Sequence, residues 1–103
     1  MIDKIYKFMG LIVKAGKLIS GENKCEAAIK ASKVYLVIVA DDASVNTKKR
    51  FSDMCEFRDV NIKIFGERES ISRYIGKENR VVVAVTEKEF AKNLLKLINL
   101  YAK

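Results

Sequence analysis

The sequence contains no histidine and only two cysteines, Cys25 and Cys55, far apart in the chain. Without histidine, triad or dyad catalysis lacks its commonest general base, and Ser44, Thr47 and Cys55 have no activating neighbour in sequence. No C-x-x-C spacing occurs, which argues against a disulfide scaffold or a zinc site and predicts two reduced core thiols. No apolar run approaches the roughly 18 residues of a membrane span, because lysines interrupt "IYKFMGLIVK". A small-residue cleavage site is missing near the N-terminus, so no secretory signal is expected. Repeats, low-complexity segments and linkers are absent too. These absences predict one cytoplasmic domain over residues 1–103, with no cofactor, no metal and no membrane partner.

Positive charge is what the chain has in excess. Lys plus Arg number 20 against 13 Asp plus Glu, a formal charge of +7 on 103 residues. On so small a body that excess attracts polyanions, although simple solubility explains it equally well. Half of the residues are hydrophobic and about a third are charged, as in a folded domain and unlike a disordered one.

Helical and extended segments alternate along the chain. Residues 2–14 place Ile5, Phe8, Met9, Ile12 and Val13 at helical spacing, and Gly16 suits the positive φ of a helix end. Leu18 and Ile19 predict a short strand, after which Ser20 offers an N-cap hydroxyl and Glu22 suits the first-turn dipole of a second helix. "VYLVIVA" (34–40) and "RVVVAV" (80–85) are continuous apolar runs, the pattern of strands covered on both faces. "VNIKIF" (60–65) alternates like a strand. A helix over about 45–57 carries Val45, Phe51, Met54 and Cys55, and a shorter one spans 68–75. Thr86 is expected to cap a last helix with Phe90, Leu94, Leu97 and Ile98 inward. Strands alternating with helices predict an α/β fold with helices on both faces of the sheet.

Two familiar chemistries fail on their residues. A nucleotide-binding P-loop needs a lysine followed by Ser or Thr after a strand, whereas Gly16-Lys17 is followed by Leu18 and preceded by a helix. Asp41-Asp42, at the carboxyl end of an apolar strand, are placed where ligands collect in open sheets and suggest a Mg²⁺-dependent phosphoacceptor. That site also wants an Asp at a neighbouring strand end, and Phe65 and Val85 are followed by Gly-Glu-Arg and Thr-Glu-Lys. The simpler expectation is two acids capping the next helix and facing water.

The remaining signal is the helix entrance in "KAGKLISGENKCEAAIK". A helix N-terminus exposes unpaired N–H groups and a partial positive charge, which suits phosphate. Gly21 has no side chain to obstruct a nucleic-acid backbone, and the Asn23 amide both donates and accepts, as a base edge requires. Lys14, Lys17, Lys24 and Lys33 surround this point. An ordinary capped helix with a solvated basic face fits the same residues.

"AGKLISGENKCEAAIK…VYLVIVADD" resembles the signature of the kink-turn-binding ribosomal protein superfamily, T-G-K-(x)3-G-x-N-E-x-x-K-A-I followed by a strand L-V-x-I-A-x-D. "ISRYIG" (71–76) and "RVVVAV" continue the match in order over nearly the whole chain. The similarity is greatest to the short bacterial, YlxQ-like branch. It implies a three-layer α/β/α sandwich around a central mixed four-stranded sheet and a non-enzymatic RNA binder, monomeric when free. In that family the second helix's entrance reads the sheared G·A pairs of a kink-turn, where distortion opens the RNA groove. By position, Lys17, Gly21 and Asn23 match the motif, and Ala28 and Ile29 match its tail.

Two positions depart. Lys24 stands where the family has Glu, and a lysine cannot accept from guanine amino and imino groups. Ala27 replaces a lysine donor. These changes keep the attraction to phosphate and weaken base-specific readout. The family's second contact, often V-P-S-K-K-E-L-G, reads Phe65-Gly66-Glu67-Arg68-Glu69-Ser70-Ile71-Ser72 here. In it Phe65 would cover a flipped-out base beside Gly66, and Arg68 would pair with a phosphate; an ordinary strand-to-helix turn fits too. The expected partner is structured RNA, a kink-turn or ribosomal RNA, on or near the ribosome. The alternatives are an adaptor that kept the fold but lost base-specific readout, and an acidic-site enzyme centred on Asp41-Asp42.

Overall fold

A computed structural model describes residues 1–102; Lys103, the end of the expected 1–103 unit, lies outside the described residues. The order is α1 (Ile2–Lys14), β1 (Leu18–Ser20), α2 (Glu22–Lys30), β2 (Leu36–Val39), α3 (Val45–Arg58), β3 (Asn61–Ile64), α4 (Arg68–Tyr74), β4 (Val82–Val85) and α5 (Lys88–Tyr101).

The four strands form one mixed sheet in the order β1-β4-β2-β3. β4 runs antiparallel to both β1 (Leu18 opposite Val85) and β2 (Leu36 opposite Val85), while β3 is parallel to β2. Every residue of the central strands β2 and β4 is buried, which is why both read as unbroken apolar runs. The edge strand β3 is only half covered, with Ile62 and Lys63 partly buried and Asn61 and Ile64 exposed, so the alternation in its sequence is not matched by its burial.

Helices α1, α4 and α5 pack together on one face, and α2 and α3 on the other, giving the expected three layers. Ile5, Met9 and Ile12 of α1, Leu94 of α5, and Ile29 and Phe51 of the opposite layer are fully buried. Each such side chain removed from water contributes about 1.5–3 kcal/mol. Cys25 and Cys55 are buried free thiols.

Local signals located most ends and misplaced two caps. Gly16 takes φ +73° and closes α1 as expected; its N–H donates to Val13 O and that of Lys17 to Ile12 O, a Schellman arrangement. Ser20 does not cap α2: it is buried as the last residue of β1, opposite Val83, and Gly21 takes the N-cap position. Thr86 does not cap α5 either. Pairing of β1 with β4 turns its hydroxyl onto the carbonyl of Lys17, and Glu87 caps the helix by accepting from the Phe90 N–H at 2.7 Å. Val45, read as an apolar contact of α3, is 79% exposed. Phe90 and Leu97 are only half-buried.

The two acids after β2 face water, but only Asp42 caps a helix, and not the one expected. Ser44 caps α3, accepting from Thr47 N–H, whereas the Asp42 carboxylate accepts from Arg68 N–H at 2.8 Å at the start of α4. Asp41 pairs loosely with Lys48 at 3.8 Å. Nearness of the β2 and β3 ends in the parallel pair brings the α4 entrance closer to Asp42 than its neighbours in sequence suggest.

Candidate nucleic-acid interface

Gly21 sits at the hinge between β1 and α2 with φ +100° and ψ 146°, a conformation that side-chain-bearing residues rarely adopt. Its N–H donates to Val82 O, continuing the β1–β4 ladder, and its own carbonyl accepts from Cys25 N–H to open the helix. One residue therefore ends a strand and starts a helix.

The consequence is an uncapped entrance. The helices α3, α4 and α5 each have a side-chain oxygen on a first-turn N–H, from Ser44, Asp42 and Glu87. α2 has no side-chain cap, and among the described residues the N–H groups of Glu22, Asn23 and Lys24 donate to no protein acceptor. Such amides face water or a ligand. They also carry the positive end of the helix dipole.

The concavity at this entrance, about 550 Å³, is lined by Gly21, Asn23, Lys24, Lys77 and Arg80 among others, and Asn79 adjoins it. The Arg80 guanidinium lies across Gly21, with Nη1 donating to the Ser20 carbonyl at 3.2 Å. A Cβ built on Gly21 would stand 2.6 Å from that nitrogen. Among the described residues no carboxylate pairs with Lys17, Lys24, Lys77 or Arg80.

The acids beside the entrance are neutralised from behind. Arg50 of α3 reaches α2 with one nitrogen on Glu22, at 2.7 Å, and another on Glu26. Thr47 also donates to Glu22, at 3.4 Å. A bond from Lys30, reinforced by Arg50, holds the Glu26 carboxyl below its usual range. Below the helix, burial pushes the Cys25 thiol up to about 12 against the opposing pull of Lys24 and Arg80, and that of Cys55 up to about 11. Neither is an available nucleophile at neutral pH.

The residues singled out in the sequence fall into three groups. Gly21, Glu22, Asn23 and Lys24 meet at the α2 entrance, with Glu22 held by Arg50, whereas Lys17 lies at the other end of β1, its carbonyl bonded to Thr86, outside the lining of that concavity. Ala27, further along α2, and Lys33, past its end, line a separate groove that Lys24 also lines, and Lys14 ends α1 outside both grooves. In the 65–68 loop, Phe65 is a correction: it is 7% exposed, packed between Tyr6 and Tyr101 at ring separations of 5.8 and 5.7 Å, so its ring fills the core rather than offering a face to a base. Gly66 is held there at φ +81° with the Tyr6 hydroxyl 2.9 Å from where a Cβ would be. Arg68 reaches Asn79 Oδ1 at 3.1 Å and so braces the loop before β4.

Lys77, Asn79 and Arg80 were not singled out from the sequence. Their only signal there is a charged residue at the mouth of an apolar strand. Pairing of β4 with β1 is what carries Arg80 to the Ser20 carbonyl beside Gly21, across 60 residues of chain. For other ligands the structure offers little. Among the described residues no three His, Cys, Asp or Glu side chains gather where a metal could be held, and no helix is long and apolar enough to cross a membrane.

Comparison with known proteins agrees with this architecture. The chain is 39% identical over 94 residues to a protein named RNA-binding protein YlxQ from Bacillus subtilis (strain 168), covering 91% of this chain and 94% of that one. It is 41% identical over 97 residues to the protein of the same name from Enterococcus faecium, covering 93% and 92%. A solved Bacillus halodurans protein, described as of unknown function, superposes with a TM-score of 0.90 at 35% identity over 93% of this chain and 97% of that one. The fold recurs in a Giardia lamblia 15.5kD RNA binding protein, with a TM-score of 0.76 at 18% identity, covering 90% of this chain and 79% of that one. A family model matches residues 3–95, and the chain belongs to the Ribosomal protein L7Ae/L30e/S12e/Gadd45 family.

Proposed function

We propose that this chain is a single cytoplasmic RNA-binding domain, ribosomal or ribosome-associated, that recognises a kink-turn or similarly bent RNA through the entrance of α2 and catalyses nothing. The observation that carries this reading is the uncapped first turn of α2 behind Gly21, roofed by Arg80 and flanked by unpaired lysines. A phosphate at Gly21 accepts from the free amides of Glu22 to Lys24, and Gly21 lets the RNA backbone approach to contact distance. Asn23, exposed one residue into the helix, presents donor and acceptor to a purine edge. Lys24, Lys77 and Arg80 neutralise neighbouring phosphates, while Gly66 and Arg68 shape the loop on the far side of Asn79. The names and family of the relatives support RNA as the partner.

The test is a salt-dependent titration against a kink-turn and the same RNA with its G·A pairs replaced. The expected result is tighter binding to the intact kink-turn at every salt concentration. Equal affinities with a steep salt slope would leave phosphate attraction alone and favour an adaptor that kept the fold. Absence of binding at low salt would refute the RNA reading.

A further inference from the structure

Away from the α2 entrance stands a second feature, the ring of Tyr35, which is 48% exposed immediately before β2. Its N–H donates to Val85 O at 2.9 Å, so the backbone beneath the ring is fixed to the end of β4. Two grooves meet at this ring. One, about 750 Å³, runs along α2 past Ala27 and Ala31 to Lys33, with Lys24 at its other end. The second, about 260 Å³, lies against α5 beside Lys88, Ala91 and Lys92. No carboxylate lines either groove. Among the described residues none of the four lysines makes an ion pair.

A flat exposed ring over an alanine floor, bracketed by unpaired cations, suits a ligand that alternates planar apolar faces with negative charges. Single-stranded nucleic acid has that alternation. A simple anion would use the lysines and leave the ring idle. An apolar protein surface would use the ring and leave four lysines uncompensated.

We infer that Tyr35 is a stacking platform for an unpaired nucleobase, with Lys24 and Lys33 on one side and Lys88 and Lys92 on the other holding the flanking phosphates. This rests on RNA binding at the α2 entrance, because Lys24 lines both concavities and makes the two surfaces continuous. The second surface takes a single-stranded extension of the bent RNA. Its contribution is tolerant of sequence, since every base has a face to stack.

The experiment compares the full chain, Tyr35→Ala and Tyr35→Phe on a kink-turn RNA with and without a short single-stranded oligoadenosine tail at each end. Affinity is measured together with amide chemical shifts. The tails are expected to tighten binding by on the order of tenfold, a gain lost in Tyr35→Ala and kept in Tyr35→Phe, with shifts at Ala31, Lys33 and Tyr35. Shifts at Gly21 and Asn23 with no tail-dependent gain, or a gain indifferent to Tyr35→Ala, would overturn the platform alone and leave the groove to a protein partner. Shifts at Tyr35 without any at Gly21 would keep the platform and overturn the α2 entrance. Silence at both would overturn both.

Discussion

Arg80 lies across Gly21: its Nη1 donates to the carbonyl just before the glycine and occupies the space a Cβ would need, 2.6 Å away. The roof over the α2 entrance and the absence of a side chain beneath it are therefore one arrangement. Either residue changed alone alters the same surface.

Gly21→Ala forces a methyl into a φ +100° conformation and against the guanidinium. The guanidinium can swing aside, so most of the cost is backbone strain of about 1–3 kcal/mol. Urea unfolding should register that loss. RNA affinity should fall at least tenfold even under conditions where the variant is fully folded, since the displaced Arg80 and the new methyl both intrude on the phosphate position.

Arg80→Ala and Arg50→Ala separate two kinds of arginine. Removing Arg80 takes away a cation facing the entrance and should reduce the salt slope of RNA binding by about one. Arg50 faces Glu22 and Glu26 instead. Its removal leaves Glu22 without a cation and Glu26 with Lys30 alone beside the entrance, and should weaken binding several-fold at low salt, an effect that shrinks as salt screens the repulsion. Because a hydrogen bond and charge from Lys30 and the charge of Arg50 hold the Glu26 carboxyl down, their stabilisation is present above its ordinary range and is lost as pH falls below that range through the lowered folded-state value. The acid limb of a pH–stability curve should therefore flatten in Arg50→Ala.

Lys24 and Ala27 are exposed on α2, and among the described residues their side chains form no hydrogen bond or ion pair. The double substitution Lys24→Glu, Ala27→Lys should change stability by no more than about 0.5 kcal/mol. It should tighten binding to a standard kink-turn while leaving affinity for the G·A-replaced RNA unchanged or lower. Equal weakening on both RNAs would mean that Lys24 serves phosphate and that the entrance has its own specificity.

The two thiols predict an alkaline signature. Unfolded thiols ionise near 9, whereas the folded Cys55 and Cys25 hold their protons to about 11 and about 12. The unfolded state thus binds fewer protons in that window, and stability falls as pH rises above about 9. The stability advantage of the wild-type chain over Cys25→Ala, Cys55→Ala should narrow between neutral pH and about 10 in urea melts. Modification by a thiol reagent at neutral pH should track unfolding.

Local pattern alone was enough for the elements and for one half of the candidate site. Apolar residues at helical spacing on α1 and α5, and unbroken runs at β2 and β4, have no other way to leave water than these helices and these covered strands. The G-x-N at the α2 entrance was equally legible, because a bare Cα at the hinge and an amide on the first turn are local features of the chain. Tertiary structure decided whatever depends on which distant segments meet. Pairing of β1 with β4 buried Ser20, took Thr86 from its helix and set Arg80 over Gly21. Packing of α1 and α5 turned Phe65 into the core between Tyr6 and Tyr101. Packing of α3 on α2 brought Arg50 to Glu22, and the β2–β4 pair left Tyr35 standing between two rows of lysines. Periodicity states which face of a segment seeks the core; only the closed sheet, by pairing strands remote in the chain, states what its remaining residues will stand beside.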